Sequence, residues 1–453
     1  MTSMISRAVK SVAVTVVLAV APACQGPSET LAAPDILLIV IDCLRRDHVR
    51  AYGHGRPTTP NLDALAAEGT LFEQAYSQSH WTRPSIPSYL TGLYPSEHGL
   101  LRVERNQEGV ITGPALAPEA VTIAEQLKAA GYITAMVGEQ YQMSPVFSLD
   151  QGFDFFRNHA GRAGNIGRGF LLWLGRHEGE GLFFGYLHYL DIHWPYCPPA
   201  RFRGRFDNGA SDLAVCHQWR TLRAAIRAGE KRLSAADVER LRARYDEELL
   251  AVDAALGTLF RGLKQKGRWD DTLIVVTADH GEEFMEHGAI GHDGGLTDVL
   301  LSVPLIIKPP ASWPGTPLAR SDDLVELRSV SSTLRQAAGV DEGPGGPSLV
   351  PYLLGRQASD AASYVVAEST LAVSVRSRTH ALLVSKEDGS QRLFDRTAEP
   401  YEVTDVGVRE PEIMAELTRK LGAWRRALVP LHPTHVDVAD DTAEGLKDLG
   451  YID

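Results

Sequence analysis

The sequence predicts an α/β fold built on a mostly parallel sheet, and two observations carry that prediction. The run from Asp35 to Ile41 is continuously apolar and β-branched, the pattern of a strand covered on both faces by helices. It stops at an acid, Asp42, and the arrangement recurs twice: Leu273 to Thr277 leads into Ala278, Asp279, His280 and Gly281, and Leu182 to Leu187 leads into His188. In open α/β sheets ligands sit at the carboxyl ends of the strands, so three strands that each stop at an acid or a histidine can pool those groups.

The remaining elements follow in chain order. Arg7 and Lys10 precede a short apolar run, Ser11 to Val20, and then Ala21, Pro22 and Ala23, so residues 1–23 read as an export signal. The run is too short to span a bilayer as an ordinary helix. Cys24 resembles the lipidated cysteine of bacterial lipoproteins, although Ala21 stands where leucine is usual. A cleaved secretory leader and a membrane attachment through lipidated Cys24 are both open; either makes the protein periplasmic or extracellular. A polar linker covers 24–33. Helices are expected from Pro60 to Glu68, stopped by Gly69, and from Val121 to Ala130, stopped by Gly131. Ser234 and Asp237 form a capping box that opens a long helix to about Leu263, whose many charges read as a solvated face. Helices alternating with apolar strands give the α/β class. The segment from Leu324 to Ala338 reads as a helix, and Tyr364 to Asp395 as short antiparallel strands with a turn at Asp388 and Gly389. The expected division is a main domain over 34–314 and a smaller C-terminal α+β subdomain over 315–453.

With 453 residues, 44% of them hydrophobic, the chain can bury a large core. The net charge of -12 argues against a nucleic-acid partner, because phosphate contacts need clustered Lys and Arg. An anionic substrate is still allowed, since a metal ion supplies positive charge locally. The four cysteines include no C-x-x-C pair, which disfavours a cysteine zinc site. Export permits a Cys197–Cys216 disulfide; buried thiols are the other reading.

Asp279 and His280, delivered together at the end of a buried strand, are costly unless something binds them. Carboxylate oxygen and imidazole nitrogen suit Zn, Mn or a similar divalent ion. Alone, Asp279 also reads as a helix N-cap and Asp42 as a cap or turn. Together they reinforce each other, because both lie at strand carboxyl ends. Arg45 is expected to pair with Asp47, His188 to orient or pack, Asp253 to serve a packing network, and Trp81, Tyr52 and Tyr94 to form walls.

Pro34 to Asp42 with Leu44 to His48, Pro57 to Leu62, Trp81 to Ser85 with Leu90 to Pro95, His188 to His193 with Pro195, Val276 to Glu282, and Leu446 to Ile452 resemble, in that order, the segments of the sulfatase family in the alkaline phosphatase superfamily. The resemblance implies an alkaline-phosphatase-like fold over about residues 34–453, with 34–314 as the catalytic domain. It implies a metal-dependent ester hydrolase. Sulfatases carry C/S-x-P-x-R, whose Cys or Ser is oxidised to formylglycine. Alignment on Leu90, Thr91 and Gly92 puts Thr82 at that position and Ile86 at the arginine, so no formylglycine is expected. The family's paired metal aspartates are Asp42 and Cys43 here, and its sulfate-gripping lysine and histidine are missing near Gly138, Glu139 and Gln140.

The pattern is closer to the superfamily's threonine-nucleophile branch, as in phosphodiesterases and phosphoethanolamine transferases. The implied site is one divalent ion (Zn, Mn, Mg or Ca) held by Asp42, Thr82, Asp279 and His280. His193 and His292 contact the substrate's anionic oxygens or its leaving group, with Arg83, His287 and Asp191 as further candidates. A threonine ester has no second hydroxyl through which to collapse, so water must attack it directly; this favours a phosphate ester over a sulfate ester. The alternatives are a sulfatase without formylglycine, a phosphoryl transferase, and a non-catalytic binding protein that retains the fold. The substrate is a small molecule or a glycan or lipid ester.

Overall fold

Seven consecutive buried residues, Asp35–Ile41, form strand β1 near the middle of an eight-stranded sheet. The computed structural model describes residues 31–292, 295–340, 343–398 and 401–449. The export signal, Cys24, most of the linker and the last residues of the C-terminal motif lie outside the described residues. The other strands of the sheet are β2 (Thr70–Tyr76), β3 (Ile133–Gly138), β4 (Phe155–Arg157), β5 (Phe183–Tyr189), β6 (Thr272–Thr277), β7 (Leu305–Lys308) and β8 (Arg320–Glu326). Their spatial order is β8-β2-β7-β6-β1-β5-β3-β4. Strand β7 is antiparallel to both neighbours, and every other pairing is parallel.

Register decides what meets at the strand ends. Val40 pairs with His188 of β5 on one side and with Thr277 of β6 on the other. Two residues further on, Asp42 and Asp279 therefore stand level. The helices that matter for the site are α1 (Pro60–Ala67), α2 (Thr82–Thr91), α3 (Ile123–Ala129), α4 (Ala163–Arg176), α5 (Trp219–Arg227), α6 (Ala235–Gln265) and α7 (Ser329–Ala338). Helix α6 packs on α1 and α4, while α7 packs on α2 and α3. Among the described residues no helix is long and apolar enough to cross a membrane.

Two expectations are corrected. The segment from Leu324 to Ala338 is not one helix: Leu324, Val325 and Glu326 end β8, in register with Gln74, Ala75 and Tyr76, and the helix begins at Ser329. Pairing with an already formed strand outweighs the helical periodicity. The charges of α6 are not all a solvated face either, because Asp246, Glu247, Glu248 and Asp253 are buried. Asp246 meets His48, His54 and Arg56. Asp253 accepts from the backbone N–H groups of Asn61 and Leu62 and so holds the first turn of α1.

Tyr364 to Asp395 does form antiparallel strands, β9 (Val365–Glu368), β10 (Ala372–Arg376), β11 (His380–Ser385) and β12 (Gln391–Asp395). Val366, Val373, Leu382 and Leu393 pack against Leu417, Leu421 and Trp424 of helix α8 (Pro411–Ala427). Cys197 and Cys216 form a disulfide, and Cys43 is a buried free thiol.

Candidate active site

The site is assembled from two strand ends and one helix start. Past β1, Cys43 adopts a left-handed backbone conformation (φ 59°), uncommon for any residue but glycine. The turn aims the Cys43 N–H at Asp279 Oδ1 (3.3 Å) and its Sγ at Asp42 Oδ1 (3.0 Å). Past β6, the chain runs so close to the short helix Asp298–Leu301 that a Cβ on Gly281 would lie 1.9 Å from the Val299 carbonyl oxygen. Only glycine allows that approach, and the approach fixes His280 beside it. Thr82 is the first residue of α2, a ten-residue helix with every side chain buried, preceded by extended Trp81. The backbone N–H groups of such a helix start favour negative charge.

Asp42, Thr82, Asp279 and His280 have no exposed surface, and the structure brings them together. Thr82 Oγ1 lies 3.2 Å from His280 Nε2. The same nitrogen is 3.6 Å from Asp279 Oδ2 and 3.8 Å from Asp42 Oδ1. His280 Nδ1 donates to the Gly281 carbonyl (2.8 Å), which leaves Nε2 as the lone-pair nitrogen facing the carboxylates. Asp279 Oδ2 is buried without a hydrogen-bond partner. Two carboxylates, one with an orphan oxygen, an imidazole lone pair and a hydroxyl form a donor set that fits a divalent cation.

His193 and His292 complete the cluster. Their ring centroids are 5.2 Å apart, and His292 is 4.6 Å from the ring of His280. His193 Nδ1 donates to the Trp194 carbonyl (2.8 Å), turning Nε2 towards the site. Burial pulls His193 down to about 4, and pulls His292 well below the usual imidazole range with help from His280 and His193. Burial works to raise Asp42, yet the His188 hydrogen bond and the neighbouring imidazoles hold it below the ordinary carboxylate range. Asp279 is raised by burial and by the charge of Asp42. A cation between the two acids would remove that conflict.

The two expectations that the structure corrects are Arg83 and His287. Arg83 points away from Thr82: it donates to Gln142 Oε1 (3.2 Å) and to the Pro114 carbonyl, and its guanidinium lies 4.0 Å above Phe147. His287 has both ring nitrogens committed, Nδ1 to Glu283 (2.7 Å) and Nε2 to the Tyr401 carbonyl. Asp191 holds the Ala163 N–H at the start of α4 and lies beside the histidine cluster, not in it. Arg45 does pair with Asp47.

Sequence reasoning gave no role to three residues here. Gln140 Nε2 donates to Asp42 Oδ2 (2.6 Å), in the segment that lacks the family's lysine and histidine. Glu282 has no exposed surface, lies 3.6 Å from His292 Nδ1, and is pushed up to about 8 by burial. Arg223 of α5 sits over the Trp194 ring at 4.7 Å and faces His193, His292 and Glu282. The spacing of the strand ends could have found Gln140 and Glu282. Nothing local distinguishes Arg223 from other arginines of an amphipathic helix.

Comparison with known proteins adds the decisive observation. The Sulfatase family model matches residues 34–166 and 167–340, well over half of the chain. The chain belongs to the sulfatase family. Human arylsulfatase A is 27% identical over 300 residues, covering 58% of this chain and 54% of that enzyme. The chain thus matches about half the length of that relative. The multifunctional alkaline phosphatase superfamily protein PehA of Trinickia caryophylli is 27% identical over 359 residues, covering 60% of this chain and 68% of that protein. The crystal structure of the phosphonate monoester hydrolase of Agrobacterium radiobacter has the same fold, with a TM-score of 0.70 and 21% identity over 87% of this chain and 95% of that one.

Proposed function

We propose that the protein is a metal-dependent hydrolase of phosphate or sulfate esters in which Thr82 is the nucleophile. The supporting observation is the position of Thr82 Oγ1: buried, at a helix start, 3.2 Å from His280 Nε2 and beside two buried carboxylates. Asp42, Thr82, Asp279 and His280 would hold one divalent cation, Zn, Mn, Mg or Ca. When bound, that cation lowers the pKa of the threonine hydroxyl and offsets transition-state charge.

The chain's own groups do the rest. Thr82 Oγ1 releases its proton to solvent and bonds to phosphorus or sulfur as the bond to the ester oxygen breaks. The departing oxygen keeps the electron pair and takes a proton from His193 or His292. Burial lowers the pKa of both imidazoles, and an incoming anion works against that shift and favours their protonated forms. The α2 backbone amides steady the remaining anionic oxygens. Water then cleaves the threonine ester and restores the hydroxyl. Since a threonine ester cannot eliminate as a formylglycine ester does, this route favours phosphate or phosphonate esters over sulfate esters. The name of the phosphonate monoester hydrolase fits the same preference, whereas that of arylsulfatase A fits sulfate esters. The Cys197–Cys216 disulfide supports export to an oxidising compartment.

The test is one purified preparation assayed on 4-nitrophenyl phosphate, bis(4-nitrophenyl) phosphate, 4-nitrophenyl phenylphosphonate and 4-nitrophenyl sulfate, with and without chelator. Turnover of a phosphorus ester that chelator abolishes is the expected result. Turnover of sulfate alone overturns the phosphoester preference, and turnover of none overturns the hydrolase.

A further inference from the structure

A cavity of about 360 Å³ opens beside His193, and Glu139, Asp191 and Glu248 bring three carboxyl groups to its walls. Glu139 follows β3, Asp191 and Trp194 flank His193 after β5, and Glu248 comes from the middle of α6. Arg162, just before α4, is the one guanidinium in the lining among the described residues. Much of the acid is already engaged. Asp191 accepts twice from the Ala163 N–H, and Glu139 accepts from the Gly161 N–H at 2.7 Å. Arg162 donates to the Cys197 carbonyl rather than to a carboxylate. Glu248 differs from the others. Its Oε1 accepts from the Cys197 N–H at 2.8 Å, but its Oε2 is buried without a hydrogen-bond partner, and the residue is only 2% exposed.

A carboxylate oxygen left unpaired on a cavity wall is costly unless a donor arrives to meet it. The donor must come from the cavity side. Three acids against one arginine favour a cation, and a primary ammonium offers three N–H groups to distribute among them. Burial and the charge of Asp191 push the Glu248 carboxyl well above its usual range, a cost that a bound cation reverses.

We propose that this cavity recognises an ammonium group on the organic part of the ester, with Glu248 Oε2 as its main acceptor and Asp191 and Glu139 as supporting charges. The inference rests on the reading of Thr82 and His193 as the reacting end of the site. It makes the preferred substrate an amino-alcohol or amino-sugar ester, positioned so that the anionic group meets His193 while the ammonium enters the acidic cavity.

The test separates the two readings by measuring binding as well as turnover. A series of ω-aminoalkyl phosphates of increasing chain length is titrated calorimetrically against the matching ω-hydroxyalkyl phosphates, using the metal-loaded protein. At one chain length the amine should bind about tenfold tighter or better, one charge-assisted hydrogen bond's worth. Glu248→Gln keeps an acceptor for the Cys197 N–H and should abolish that preference. Glu139→Gln, on a separate loop, should reduce it and serves if the first variant does not fold. Amine preference at no chain length overturns the proposal, as does a preference that both variants retain. Amine preference in a protein that turns over none of the 4-nitrophenyl esters supports the cavity while removing the hydrolase.

Discussion

Replacing Thr82 by Val separates a nucleophile from a structural hydroxyl. The change keeps the side chain's branching and removes only Oγ1. That atom has no exposed surface and lies 3.2 Å from His280 Nε2, so its loss breaks a buried polar contact. Such a loss costs roughly 1–3 kcal/mol, which as misplacement of His280 would reduce kcat by about five- to 150-fold. Removal of a nucleophile costs far more. In other hydrolases it lowers kcat by on the order of 10⁴–10⁶, or roughly 5–8 kcal/mol. The two accounts thus differ by about a hundredfold or more. The assay is kcat on whichever phosphorus ester the parent hydrolyses best, at saturating metal, with metal content and melting temperature measured on the same samples. Thr82→Ser, which keeps a hydroxyl, should retain most of the activity. If Thr82→Val keeps more than about one part in a hundred of parental kcat with its metal in place, Thr82 is not the nucleophile.

Four further outcomes follow. Chelation should lower both activity and melting temperature, since a ligand present at about a thousand times its Kd stabilises by roughly 4 kcal/mol. Asp279→Asn should lose metal yet melt above the metal-free parent, because it relieves the burial and like-charge cost at Asp279; a lower melting temperature counts against that account. His98 is fully buried, accepts the Leu100 N–H on Nδ1, and is pulled down to about 3 by burial. Its folded pKa lies below the unfolded value of 6.5, so the unfolded chain takes the proton first and stability falls as pH drops from about 6.5 to about 3. The loss reaches on the order of 5 kcal/mol at the acid limit, and His98→Gln should flatten the acid arm of a denaturation series; an unchanged arm excludes His98 as its source. Asp253→Ala removes the acceptor for the Asn61 and Leu62 N–H groups and should cost about 3 kcal/mol in urea unfolding while leaving kcat at saturating substrate unchanged.

The sequence by itself determined the class of fold and the places where chemistry gathers. An apolar β-branched run can persist only where both faces are covered, so β1, β5 and β6 were legible as central strands, and their ends as the site. Asp42, Asp279 and His280 were readable because each sits next to such a strand. Thr82 and His193 became readable only through resemblance to a family. Tertiary structure alone decided which groups share one space. The level stance of Asp42 and Asp279 comes from the pairing of Val40 with Thr277, and no local pattern encodes that register. It also decided that Leu324 joins a strand, that Arg83 turns towards Phe147, and that Glu248 leaves the solvated side of its helix to face a cavity. Periodicity reports which side of an element is apolar, whereas a buried charge is chosen by the partner that distant chain brings to it.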